Sequence, residues 1–332
     1  MKRNKIYARC ILLILMMLFL VIIVGQTIIE AKIIVKVAQT NAADHPVGIG
    51  LTYFEKRVEE LTGGELDVRV YHAGALGGAR ESIEAVQLGQ IEIASVTGSN
   101  LETFAKEFDI FGLPFLFSSY DHIKKALAEG THLSTELEKA LERIGLVSLG
   151  LTTGGTRQVY SKTPIEGIED VKDKRIRTME VPTIIATWKA LGAIPVPIAT
   201  PEIYSALQTG IVDMAESSFL TWVGSKHIEV AKYGARLNYM DSGRVFFTNK
   251  KFWEELSVEQ RKAIKLAMKE SIDIMFEEYV KQDEEVEKTA LSVNAVITHP
   301  DLEPFIQALQ PIYEEFKPTL GFEMLKEIQN MK

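Results

Sequence analysis

From Val258 to Ala290 the chain carries no proline and no glycine and is rich in helix-forming residues. Those two residue types are the ones that stop helices, so the run predicts a single uninterrupted helix. Ser257 and Gln260 stand ahead of it with the spacing of a capping box. Ala263, Leu266, Ala267, Ile274 and Val280 predict its apolar stripe. A helix of about 30 residues is about 45 Å long, more than one compact domain needs. It is therefore predicted to run past two domains, for which the chain of 332 residues has room.

The rest of the chain alternates strand and helix, an α/β pattern. IIVKVAQ (33–39) reads as a strand, and GLTYFEKRVEELTGG (50–64) as a helix stopped by two glycines. LDVRVY (66–71) alternates like a strand, and RESIEAVQLG (80–89) reads as a short helix before the strand IEIASV (91–96). Helices are predicted around 119–129 and 133–143, and a strand at 146–151. Beyond TGGTRQVYSKTP (153–164) come the strand KRIRT, the helix 182–193, the short strand PVPI, and the helix PEIYSALQTG (201–210). IVDMAESS (211–218) runs from strand into loop.

The N-terminus stands apart from this body. Lys2, Arg3, Lys5 and Arg9 precede the uncharged run 10–25, the order of an export signal. Ala31 is the best small residue for cleavage, but Ile29 sits at the −3 position. An uncleaved apolar stretch from Cys10 to Ile29 is long enough to span a bilayer. Residues 1–31 are therefore a signal peptide or an N-terminal anchor, and both place the body outside the cytoplasm, in the periplasm or its equivalent. Cys10 is the one cysteine, so the exported body has no thiol, disulfide or cysteine nucleophile. It precedes the apolar run, which argues against lipidation there. The formal net charge is −8, which argues against a nucleic-acid partner.

Few motifs of catalysis or metal binding are present. The six histidines are scattered, with no HExxH, and there is no CxxC or GxSxG, so no metal site, cofactor or hydrolase elbow is expected. GALGGAR (74–80) matches neither GxGxxG nor the P-loop and reads as a tight turn. No acidic spacing marks a catalytic pair.

Two arginines set the question of function. GGTRQ places Arg157 after flexible glycines at the mouth of a strand, and KRIRT places Arg177 at the end of another. In an open α/β sheet, ligands gather outside the carboxyl ends of strands. An arginine fork matches a carboxylate with two parallel hydrogen bonds. Any one arginine at a strand end is ordinarily solvated; Arg175 is read as surface, and pattern alone leaves Arg177 open.

The stretches TGGTRQVYSKTPIEGIEDVKDKRIRTMEVP and ALGAIPVPIATPEIYSALQTGIVDMAESS resemble the extracytoplasmic solute-binding proteins of TRAP transporters, the tripartite, ATP-independent, ion-driven uptake systems. GLPFLF (112–117), HAGALGG (72–78) and ITHPDLEPF (297–305) fit the same family, so the likeness covers about 33–330. It implies a two-lobed periplasmic-binding-protein-like α/β fold with hinge strands and a long helix spanning both lobes. By analogy lobe one is 32–153 plus 243–282, and lobe two is 154–242 plus 283–332.

The resemblance also implies that Arg177 binds the ligand carboxylate and that Arg157 matches a second arginine that faces the carboxylate in acidic-sugar binders. Two departures stand out. Arg177-Thr178-Met179 replaces the usual R-V-P, and Ser217 replaces an asparagine that often bonds the carboxylate. Serine reaches less far and offers one donor instead of two. Further candidates are Trp222, as a stacking ring or a core aromatic, and Thr40, His45 and Thr97 in loops that could cap the ligand. The function implied is capture of a small organic carboxylate by a monomer and its delivery to the TRAP membrane subunits. The alternatives are an exported α/β enzyme acting on sugar acids and a ligand sensor module.

Overall fold

The structure is a computed structural model that describes residue 16, residues 32–320 and residues 322–331. The signal or anchor expected over residues 1–31 lies, Met16 apart, outside the described residues. Among these, no helix is long and apolar enough to cross a membrane.

The chain opens with β1 (Ile33–Gln39), α1 (Pro46–Leu61), β2 (Leu66–Tyr71), α2 (Ala79–Gln87) and β3 (Ile93–Thr97). α3 (Tyr120–Ala126), α4 (His132–Arg143) and β4 (Leu146–Thr152) follow. Next come β5 (Thr156–Ser161), β6 (Arg175–Thr178), α5 (Pro182–Ala190), β7 (Ile194–Pro197), α6 (Ile203–Thr209), β8 (Met214–Ser217), α7 (Phe219–Gly224) and β9 (Tyr233–Asp241). The chain ends with β10 (Arg244–Asn249), α8 (Lys250–Glu255), α9 (Val258–Ser292), β11 (Val296–Thr298), α10 (Glu303–Ala308), α11 (Gln310–Leu320) and α12 (Phe322–Asn330).

These strands form two sheets, in the orders β2-β1-β3-β10-β4 and β11-β9-β5-β8-β6-β7. Each sheet is the centre of one lobe of a two-lobed α/β fold. The chain passes between the sheets at 153–155, from β4 to β5, and returns at 242–243, from β9 to β10. The two crossings touch. A Cβ on Gly154 would lie 2.3 Å from the Gly243 carbonyl oxygen, so the position admits only glycine. Gly155 and Gly243 both have positive φ, at 82° and 59°. Asp241 ties the crossings together. Its Oδ1 accepts from the backbone N–H of Gly154 and of Gly243, each at 2.9 Å, and its Oδ2 accepts from the Thr153 hydroxyl.

Sequence patterning finds every strand of the first sheet except β10, and in the second it misses β9 and β11. The reason is visible in the β9 register. Arg157 pairs with Met240 but Val159 pairs with Ala235, so β9 carries a bulge. Asn238 sits in it with φ 45°, and its N–H donates to Gln158 Oε1 at 2.8 Å. A bulge breaks the period-2 alternation on which strand reading depends.

The long helix forms as 35 residues, about 52 Å. Its capping box is closed in both directions: Gln260 N–H donates to Ser257 Oγ at 3.1 Å, and Ser257 N–H to Gln260 Oε1 at 3.0 Å. The helix packs on α1 and β4 of the first lobe and on α7 and β11 of the second. Its buried face differs from the predicted stripe. Leu266 is 45% exposed, and the packed positions include Ile264, Ala267, Met268, Ser271, Met275 and Tyr279. Approach to α1 is close: a Cβ on Gly50 would meet Met275 Cγ at 2.3 Å.

Two histidines are locked inside as neutral rings. His45 is the N-cap of α1, with Nδ1 accepting from Val47 N–H, and burial, then Arg244, lowers its pKa to about 3. His227 meets the Tyr160 hydroxyl at 2.8 Å, and burial, then Arg177, lowers it to about 3 as well. An unfolded histidine takes a proton near its ordinary value of about 6.5, whereas these two resist until about 3. Their contribution is therefore complete above pH 6.5 and drains as pH falls through this window, by up to about 1.4 kcal/mol per pH unit for each ring. Denaturant unfolding at pH 7 and pH 4.5 should show this loss, and His227→Gln should flatten it. An unchanged slope in that variant would contradict the neutral buried state.

Candidate ligand site

In the second sheet β8 lies between β5 and β6. Val159 pairs with Glu216 and Arg177 with Ala215, so the register gathers Arg157, Glu216 and Arg177 at neighbouring positions of three adjacent strands. All three are buried: Arg177 is 1% exposed, Arg157 5% and Glu216 0%. A charge so deeply placed must be paired and hydrogen-bonded, or it would cost several kcal/mol.

Glu216 is the common counter-charge. Its Oε2 accepts from Arg157 Nε at 2.5 Å and from the Tyr239 hydroxyl at 2.9 Å. Its Oε1 accepts from the Met179 backbone N–H at 3.1 Å and lies 3.5 Å from Arg177 Nη1. The Glu216 backbone carbonyl also serves both arginines, accepting from Arg157 Nη2 at 3.0 Å and Arg177 Nη1 at 3.3 Å. Arg177 is held further by the Ile198 carbonyl, 2.7 Å from Nε, and by the Thr200 hydroxyl, 3.2 Å from Nη2.

The two arginines are not equivalent. Burial alone would weaken the charge of Arg157, but the Glu216 carboxylate overrides it and raises the pKa. For Arg177 burial prevails and the pKa is lowered; Glu216 opposes this, while the Arg157 charge adds to it. Glu216 sits closer to Arg157 than to Arg177, with Oε2 2.5 Å from Arg157 Nε and Oε1 3.5 Å from Arg177 Nη1. Arg177 is left as a rigid, under-neutralised guanidinium, and its fork offers five N–H donors in all.

Around it the lobes are in contact. A cavity of about 20 Å³ lies against Arg177, lined by Arg80, Glu81 and Asn100 of the first lobe and by Met179, Ala199 and Thr200 of the second. That is room for about one water molecule. The HAGALGG loop closes one side, where a Cβ on Gly74 would lie 2.6 Å from Pro201 Cγ. Larger cavities, of about 550 Å³ beside β4 and α9 and about 460 Å³ among the C-terminal helices, lie away from the arginines.

The other candidates fall at different depths. Ser217 is buried beside Glu216 at the end of β8. Thr97 ends β3 and Thr40 follows β1, both half-buried. His45 packs edge-on against Tyr279 at 5.5 Å between ring centres. Trp222 is not brought to the cleft. It is 0% exposed, stacks on Tyr160, and donates its Nε1–H to the Ala231 carbonyl at 2.7 Å, so it is a core ring of the second lobe. Arg175 is exposed and pairs with Asp213 at 2.7 Å. Sequence reasoning passed over Glu216 and Tyr239. The signal for Glu216 was a lone carboxylate inside the short strand MAES, whose neighbours point into an apolar core.

Replacing Glu216 with Gln should leave Arg157 and Arg177 buried without a counter-charge. The expected loss is about 3–5 kcal/mol of unfolding free energy. Urea unfolding of the variant measures it, and a loss below about 1 kcal/mol would show that solvent, not Glu216, neutralises the pair.

Residues 37–319 match the bacterial extracellular solute-binding proteins, family 7. YiiZ of Salmonella typhimurium is 33% identical over 294 residues, covering 86% of this chain and 88% of that protein. The C4-dicarboxylate-binding periplasmic protein DctP of Rhodobacter capsulatus is 28% identical, covering 90% of each chain. Among solved structures, a TRAP periplasmic solute-binding protein from a Polaromonas species, bound to D-erythronate, superposes with a TM-score of 0.85 at 30% identity. That match covers 90% of this chain and 98% of the other. With most of its length matched and its two-lobed architecture shared, the chain belongs to the family 7 extracellular solute-binding proteins of TRAP transporters.

Proposed function

We propose that this protein works outside the cytoplasm as a monomer, captures a small organic carboxylate between its lobes, and hands it to a TRAP-type membrane permease. The observation that carries the reading is the guanidinium of Arg177, buried where the two lobes meet, with the Glu216 carboxylate no nearer than 3.5 Å. A carboxylate supplies the charge Glu216 cannot and accepts two parallel N–H bonds from the planar fork. The relatives support the ligand class, since one is described as binding C4-dicarboxylates and another holds D-erythronate.

Arg177 is the primary anchor. Arg157 is already engaged by Glu216, so its part is to fix that carboxylate and lend the ligand what remains of its fork. Ser217 adds a short hydroxyl beside them, and Thr40, His45 and Thr97 belong to the lobe that closes on the ligand. The lobes are 32–153 plus 243–282 and 154–242 plus 283–332, hinged at the two crossings. Residues 1–31 direct export, whether cleaved or kept as an anchor. Binding needs no general acid or base, and a hinge closing around a ligand is a known class of transition. The ligand drives it through its better affinity for the closed form.

Arg177→Ala should weaken carboxylate binding by about 2–5 kcal/mol, on the order of 30-fold to several thousand-fold. Calorimetric titration against a panel of sugar acids, C4-dicarboxylates and keto acids, with neutral sugars as controls, measures it. Wild-type affinity in that variant, or equal binding of neutral sugars, sinks the assignment. Conversion of any bound acid to a product would instead favour an enzyme.

A further inference from the structure

A buried carboxyl of the first lobe crosses to the second. Glu102 follows the tight turn Gly98–Leu101, whose Gly98 and Ser99 N–H groups donate to the hinge carbonyls of Gly243 and Ser242 at 3.0 and 3.2 Å. Glu102 is 5% exposed and meets the N-terminus of α5, where it accepts the Thr183 N–H at 3.2 Å and the Thr183 hydroxyl. The meeting is close. A Cβ on Gly112 would lie 1.6 Å from Thr183 Oγ1 and 2.3 Å from Glu102 Oε1, so glycine there makes room for the pair. Residues 177–183 run from the anchor guanidinium directly to this contact.

The charges around Glu102 favour a proton on it. The facing turns of α5, residues 182–187, carry no charged side chain. The charge that acts on Glu102 is Asp109 of its own lobe, which is 6% exposed and also negative. Burial holds the Glu102 carboxyl well above its ordinary value of 4.5; the two Thr183 donors oppose this, and Asp109 adds to it. The contact survives protonation. A neutral carboxyl still accepts the Thr183 N–H, and its O–H can donate to the Thr183 hydroxyl oxygen.

Resting on the hinge-closure reading above, we infer that Glu102 is a proton-gated latch: the lobes close on a ligand as this carboxyl takes a proton from solvent, and they open as it gives the proton back. In the open form Glu102 leaves Thr183 for water and returns toward its ordinary value. The closed form therefore holds the proton more tightly. Protonation helps closure fully below about pH 4.5, and the help is lost as pH rises through the higher closed-form value. At the top of that window closing must bury an ionised carboxylate beside Asp109, which disfavours it. His45 and His227 stay neutral down to about pH 3 and do not enter.

The purified protein is titrated calorimetrically with D-erythronate, D-galacturonate, succinate and pyruvate at pH 6 and pH 8. Two buffers of different ionisation enthalpy count the protons taken up. With the tightest acid the wild type should take up a fraction of a proton, at most one, and bind at least about three-fold tighter at pH 6. Glu102→Gln keeps the size and an acceptor oxygen but cannot titrate. It should lose that uptake, and its affinity at pH 8 should match the acid-side affinity of the wild type. No uptake in the wild type, or the same uptake in Glu102→Gln, overturns the latch and leaves the carboxylate reading standing. No binding of any of the four acids overturns both. Should Glu102→Gln not fold, Thr183→Val decides. It removes a donor that favours the ionised form, so the proton count at pH 8 should rise, and an unchanged count overturns the latch.

Discussion

One buried carboxylate, Glu216, stands between two buried guanidiniums and cannot neutralise both. Most of the second lobe is arranged around that shortage. Three adjacent strands supply the three charges, Tyr239 from β9 adds a hydroxyl, and the Met179 N–H adds a backbone donor. The result fixes Arg157 and leaves Arg177 positioned, desolvated and short of negative charge. An exposed arginine would meet a carboxylate in competition with water and at the expense of its own rotamer freedom. Here both costs were met during folding, since the fork is buried and held by Ile198, Thr200 and Glu216.

The hinge solves a different problem with similar means. Two chain crossings must run close enough to bend together, which only Gly154 opposite Gly243 permits. Asp241 holds them by accepting from both crossings, although burial raises its pKa and works against the charge that makes it a good acceptor. The long helix α9 packs on elements of both lobes. Glu102 forms another bond between them. It accepts the Thr183 N–H at 3.2 Å and the Thr183 hydroxyl, and so caps α5, whose own N-cap residue Val181 has no side-chain oxygen.

What could be read from the sequence follows from how local each signal is. The capped helix α9 and the strands β1, β2, β4 and β6 were legible because each repeats one period between clear stop signals. β9 was not, because its bulge at Asn238 exists to fit Gln158, a residue about 80 positions away. The apolar stripe of α9 shifted for the same reason: which face is buried depends on α1 and β4, not on the helix. Arg177 and Arg157 were singled out, but their counter-charge was not, since nothing local marks a carboxylate in a four-residue strand as the partner of two other strands. Trp222 carried two readings, and only the packing against Tyr160 and Phe219 separates them.

The lobes are in contact at the site itself. Near Arg177 they meet through the Gly74 loop against Pro201 and a weak Asn100 Nδ2 to Met179 Sδ contact of 3.8 Å, around a cavity of about 20 Å³. A protein that closed tightly on itself would tax every ligand with the energy of reopening, since apparent affinity falls with the fraction of molecules able to bind. One that had no closing contacts would ask the ligand to supply all of the closure energy. Arg177 on the second lobe, facing first-lobe residues across a cavity of about 20 Å³, sits between these limits. A ligand that touched both lobes would add its own binding energy to closure.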